Sequence, residues 1–64
     1  MTAEGIKVFR KELKKPNGKS FTQTDLAEAT GVTKTAVANW EQGLFNPSKL
    51  AQRALLDIGF VNRH

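Results

Sequence analysis

Turn-forming residues cut this chain into segments, and that punctuation decides the fold class before any other feature does. Pro16-Asn17-Gly18, then Gly31, then Gly43 followed by Asn46-Pro47, and finally Gly59 mark the breaks. The segments between them are too long for hairpin strands, and their apolar residues recur at helical rather than alternating spacing. The expectation is an all-α domain of four helices, or five if the residues Phe60 to His64 add a short one. No repeat, low-complexity stretch or long linker interrupts the pattern, so residues 1–64 read as a single domain.

The first helix is expected behind Thr2 as N-cap, with Glu4 in the first turn, where the helix dipole favours an acid. Ile6, Phe9 and Leu13 share one stripe, and Lys7, Lys11 and Lys14 lie opposite. Pro16 cannot continue the helix and pushes Lys15 out of the helical region, so Lys14 to Ser20 reads as a basic loop. The second helix opens at Thr22, which with Asp25 resembles a capping box, and Phe21 stands ahead as a hydrophobic staple. Leu26, Ala27 and Ala29 supply its apolar contacts until Gly31 closes it in the left-handed conformation. The third helix runs from Thr33 to about Gln42, with Val37 and Trp40 on one face and Ala36 beside them. The fourth is expected from Pro47 or Ser48 to about Asp57, with Leu50, Ala54, Leu55 and Ile58 inward, Gly59 as its cap and Phe60 folded back on the last turn.

Composition now excludes several classes. A chain of 64 residues buries only about 60% of the surface its unfolded form exposes, and domains of this size often recruit disulfides, metals or a partner subunit. There is no cysteine, and the only histidine is His64, so no disulfide and no zinc site is expected, nor any cofactor. Self-association is the remaining source of extra stability. No apolar run approaches the roughly 18 to 20 residues of a membrane span, and the N-terminus lacks a signal-peptide core, so the expected location is the cytoplasm. An enzyme is not expected either. Tyr and Cys are absent, Asp25 and Glu28 are the only close carboxylate pair and capping accounts for the first, and no glycine-rich phosphate loop is present.

The net charge of +4 is unevenly placed. Residues 1–20 hold six Lys and Arg against two Glu, while residues 21–64 carry four of each sign. Such a patch is either a solvated face or the footprint of a polyanion.

The second and third helices are separated by only about three residues centred on Gly31, the spacing of a helix-turn-helix over residues 22–42. The steric needs of two steeply crossing helices are met. Ala27 is small where they approach, Gly31 tolerates positive φ in the turn, and Leu26, Val32, Val37 and Trp40 stand behind it. Trp40 on the Val37 face reads as core rather than as a base-stacking platform.

The run Thr22-Gln23-Thr24-Asp25-Leu26-Ala27-Glu28-Ala29-Thr30-Gly31-Val32-Thr33, continued by Trp40-Glu41-Gln42-Gly43 and then Asn46-Pro47-Ser48, resembles the lambda repressor/Cro (XRE-type) helix-turn-helix domain. The resemblance covers roughly residues 4–58. Two features depart from the family pattern: the link Lys14 to Phe21 is longer than the usual short turn, and the fifth helix is missing or reduced to Phe60 to His64.

The resemblance implies a sequence-specific double-stranded DNA-binding transcriptional regulator, a repressor in its simplest form. The third helix, about 33–42, would be the recognition helix in the major groove. Lys34 suits guanine O6 and N7, Asn39 suits adenine N6 and N7, and Thr35 offers a methyl to thymine or a hydroxyl to phosphate. Ala38 permits close approach, and Gln42 reaches bases or backbone. Gln23 matches the family's phosphate-binding Gln, and Thr22 and Thr33 join it as phosphate donors at helix N-termini. Lys14, Lys15 and Lys19 are phosphate neighbours. Arg10 and Glu41 match a family ion pair between the first and third helices. Leu44 and Phe45 either cap the core or make a homodimer contact, which would pair two half-sites of an inverted repeat. The alternative from another class is an antitoxin-type module that neutralises a partner protein and binds DNA only for autoregulation.

Overall fold

The computed structural model describes residues 2–63, with side chains through residue 60. It contains four helices among the described residues: α1 (Ala3–Glu12), α2 (Gln23–Thr30), α3 (Lys34–Gln42) and α4 (Lys49–Arg63). α3 packs against both α1 and α2, and α2 also packs against α4. Ile6 and Leu13, Leu26 and Ala27, Val37 and Trp40, and Ala51 and Leu55 bring a pair of side chains each from the four segments into one core. Full burial of a side chain such as Leu26 or Leu55 contributes about 1.5–3 kcal/mol relative to exposure. Trp40 is among these buried residues. Ala29, by contrast, is exposed on the solvent side of α2.

Local chemistry sets the helix ends. Thr2, Thr22 and Thr33 each accept a backbone N–H three residues on, from Gly5, Asp25 and Ala36. At α2 the box is reciprocal, because the Thr22 N–H donates to Asp25 Oδ2 at 2.8 Å. Gly31 (φ +75°) and Gly43 (φ +78°) close α2 and α3. In both closures the following N–H reaches back five residues, Val32 to the Ala27 carbonyl and Leu44 to the Asn39 carbonyl, which satisfies carbonyls that the helix end would otherwise orphan.

Four expectations need correction. α1 stops at Glu12, because Leu13 turns extended and enters the core. The segment from Lys14 to Ser20 is a hairpin rather than an irregular loop. Phe21 N–H donates to the Leu13 carbonyl, Lys15 N–H to the Lys19 carbonyl and Gly18 N–H to the Lys15 carbonyl. Gly18 sits at φ +83°, the left-handed position that a three-residue hairpin loop with a bulge requires.

The other two corrections concern α4. Ser48 caps it through the Ala51 N–H, and its inward line is Ala51, Leu55 and the half-buried Ile58, with Leu50 exposed. The helix also runs through Gly59 to Arg63, and Phe60 does not fold back but is exposed; His64 lies outside the described residues. Gly59 is a packing notch: a Cβ there would stand 2.7 Å from Phe9 Cε2 and 2.9 Å from Cζ. Gly59→Leu is therefore expected to lower the melting temperature, because overpacking costs about 1–3 kcal/mol and outweighs the roughly 1 kcal/mol gain in helix propensity. In a Phe9→Ala background the same substitution should cost less, because the ring it strikes is gone. Equal melting of wild type and Gly59→Leu would refute the notch.

Candidate nucleic-acid interface

α3 is amphipathic in an unusual sense, since its outward side is polar yet holds no acid. At about 100° per residue, Lys34, Ala38, Gln42, Thr35 and Asn39 fall in that order across about 140° of the helix. Lys34, Thr35 and Gln42 are exposed, while Ala38, inside the arc, and Asn39, at its edge, are half-buried. Val37, Trp40 and Glu41 occupy the buried side. α3 has nine residues, and an α-helix with its side chains is about 10–12 Å across, comparable to the B-DNA major groove, which is about 12 Å wide.

The one acid on α3, Glu41, is buried and neutralised. Arg10 Nε donates to Glu41 Oε2 at 2.7 Å and Arg10 Nη2 to Oε1 at 3.1 Å. The pair is sequestered, with side chains 14% and 3% exposed. Arg10 Nη1 also donates to the Phe21 carbonyl at 2.8 Å, so one guanidinium fastens α1, the hairpin and α3 together. Gln23 Nε2 adds a longer hydrogen bond to Glu41 Oε1, 3.4 Å. The start of α2 is thereby tied to the end of α3.

Burial alone would raise the Glu41 carboxyl. The hydrogen bonds from Arg10 and Gln23, with the charges of Arg10 and Lys7, outweigh it and hold Glu41 below its ordinary 4.5. A depressed folded-state value stabilises the fold above about pH 4.5, where the unfolded carboxyl is already ionised, and that contribution is lost as pH falls through the folded-state value. The melting temperature is therefore expected to be level near neutrality and to fall below pH 4.5. In Glu41→Gln the acid limb should be shallower, and a limb of unchanged steepness would count against this role.

At the N-terminus of α2, Thr22, Gln23 and Asp25 share one turn. Lys15 Nζ lies 3.2 Å from Asp25 Oδ2. The Thr22 backbone N–H, against the opposing effect of burial, and the Lys15 ammonium keep the Asp25 carboxyl below its ordinary 3.8. Lys15 thus offsets the negative charge in the first turn of α2. Lys14 Nζ bonds Ser20 Oγ at 2.8 Å and the Lys11 carbonyl at 3.3 Å, and Ser20 Oγ donates to that same carbonyl at 2.8 Å. Lys19 is exposed on the hairpin, its N–H held by Asn17 Oδ1 at 3.0 Å. The Thr22 and Thr33 hydroxyl oxygens act as cap acceptors, which leaves each O–H available to donate.

The sequence-derived residues therefore gather as three groups: the five side chains on the outer side of α3, the two Thr and Gln23 at helix starts, and the lysines of the hairpin. Leu44 and Phe45 are 62% and 66% exposed, so they do not cap the core. The Lys15–Asp25 pair and the Gln23–Glu41 bond are not legible in the sequence, since both join residues at separations that no local rule addresses. Among the described residues there is no cluster of His, Asp and Glu able to hold a metal ion, and no helix long and apolar enough to cross a membrane.

A family model described as helix-turn-helix matches residues 9–55. No match is found among curated proteins or solved structures. The matched stretch begins at Phe9 and ends at Leu55, so it takes in the Arg10–Glu41 pair, the hairpin, both helices of the turn and the first half of α4.

Proposed function

Because the chain belongs to the lambda repressor/Cro (XRE-type) helix-turn-helix family of DNA-binding transcription regulators, we propose that it is a sequence-specific repressor that reads the major groove with α3. The observation that carries this is the acid-free outer side of α3, held at a fixed pitch by the buried Arg10–Glu41 pair. Lys34 and Asn39 read purine edges, Thr35 a thymine methyl or a phosphate, and Gln42 the far end of the half-site, while Ala38 lets the helix approach. Thr22, Gln23 and Thr33 donate to phosphates that flank the groove. Lys14 and Lys15 act through charge at short range, and Lys19 touches a phosphate directly. The protein works in the cytoplasm as a homodimer on an inverted repeat, with Leu44 and Phe45 touching the second subunit.

A salt titration of binding tests this division of labour. With about four phosphate contacts per subunit, the dimer's log K against log salt slope should be near −7. Lys19→Ala should weaken binding to all sequences alike and flatten the slope by about one unit per subunit. A changed sequence preference in that variant would contradict its assignment to phosphate.

A further inference from the structure

Asn17 and Gly18 lie exposed at the tip of the hairpin between α1 and α2. Asn17 is the one asparagine of this sequence that glycine follows. Asn39 precedes Trp40 inside α3, Asn46 precedes Pro47, whose nitrogen carries no hydrogen, and Asn62 precedes Arg63. With no side chain on the next residue, a main-chain nitrogen can approach the asparagine side-chain carbon closely. A Cβ built at Gly18 meets nothing within 4 Å, so the surroundings leave room for a ring to close. Lys14, Lys15 and Lys19 surround the tip, and of these Lys15 is paired with Asp25. The net positive charge favours the anionic nitrogen and oxygen that such an attack passes through.

We propose that Asn17 is a modification site, converted in the folded protein to aspartate and isoaspartate through a succinimide closed by the Gly18 nitrogen. That nitrogen yields its proton to hydroxide and bonds to Asn17 Cγ; the Cγ–Nδ2 bond breaks, and Nδ2 leaves as ammonia with a proton from water. Water then opens the ring. Cleavage at Cγ leaves aspartate, whereas cleavage at the main-chain carbonyl carbon leaves isoaspartate, with an extra methylene in the main chain. An amide and water have become an acid and ammonia, with no oxidant or reductant. The hairpin gates the step. Gly18 N–H donates to the Lys15 carbonyl at 2.8 Å and Asn17 Oδ1 accepts from the Lys19 N–H at 3.0 Å, so both reacting groups are engaged until the tip opens. Residues 16–19 are all exposed, and a tip held by a few solvent-exposed bonds opens at little cost. The product sets a carboxylate two residues from Lys19. Under the DNA-binding reading, on which this consequence alone rests, that charge weakens binding to all sequences alike, about tenfold for a dimer at low salt.

Ageing the wild-type chain for weeks in warm, mildly alkaline buffer tests the site, with far-UV circular dichroism to show that it stays folded. Peptide mass mapping locates the converted residue, and an isoaspartyl methyltransferase scores isoaspartate. The amide-to-acid mass gain should fall on Asn17, with Asn39 and Asn46 intact, and should quicken as pH rises. Gly18→Ala should slow it about tenfold or more through its added Cβ, although alanine is strained at φ +83° and loosens the hairpin. An Asn17 that stays intact in the folded chain would overturn the proposal. So would equal conversion at Asn39 or Asn46, or a Gly18→Ala variant that reacts as fast as wild type. Asn17→Asp supplies the charge at once and should bind DNA as weakly as the aged protein; binding equal to that of fresh wild type would overturn the consequence for affinity. Conversion is read without DNA, so a wild type that binds no DNA would count against the DNA-binding reading and not against the site.

Discussion

Arg10→Ala is expected to leave most of the protein unfolded at 25 °C. The substitution strands Glu41, whose side chain is 3% exposed, with Gln23 as its one remaining hydrogen-bond donor, and removes the bond to the Phe21 carbonyl. Breaking a buried pair from one side costs about 3–5 kcal/mol, and a domain of this size holds only about 3–5 kcal/mol in all. Loss of the helical circular dichroism signal, or a urea midpoint near zero, would be the observed result. Replacing both partners, Arg10→Met with Glu41→Leu, should return much of the stability, because the desolvation cost of the two charges disappears together with their attraction. If Arg10→Ala melted like wild type, the pair would be peripheral to the fold and the pitch of α3 would need another support.

Asn39→Ala is expected to have the largest effect on DNA binding with little effect on folding. A bidentate contact to adenine discriminates by about 1–3 kcal/mol, and a dimer makes it in both half-sites, so specific binding should fall by about 2–6 kcal/mol, tenfold for each 1.4 kcal/mol. Affinity for unrelated DNA should hardly change, because phosphate contacts dominate it. A variant that keeps both affinity and preferred sequence would remove Asn39 from the base readers.

What was legible in the sequence was what local chemistry controls. Thr2, Thr22 and Thr33 cap helices because a hydroxyl can reach an N–H three residues on, and Gly31 and Gly43 close them because they take positive φ without strain. Gly59 looks the same in one dimension, yet it lies inside α4 because the ring of Phe9, fifty residues earlier, occupies the place of its Cβ. The inward line of α4 differs from the expected one for a related reason. With Ala51, Leu55 and Ile58 on one side and Leu50, Leu56 and Phe60 on the other, periodicity alone does not choose between two apolar faces. The basic segment after α1 likewise hid its hairpin, since only the pairing across Lys14 and Ser20 gives it shape.

That segment alters the meaning of the positive charge in residues 1–20. Lys14 is engaged with Ser20 and the Lys11 carbonyl, Lys15 with Asp25, and Arg10 with Glu41. Much of the local excess therefore builds and neutralises the frame around α2 and α3, while the outer side of α3 contributes hydrogen-bonding groups and the single charge of Lys34.

In the proposed function the outer side of α3 recognises a defined sequence in double-stranded DNA. A random-site selection with the wild-type protein at about 100 mM salt, where non-specific phosphate binding is already weakened, tests it most directly. Enrichment of one short inverted repeat, with half-site centres about 10 base pairs apart, is the result this account requires. Recovery of protein-bound DNA with no enriched motif would contradict it.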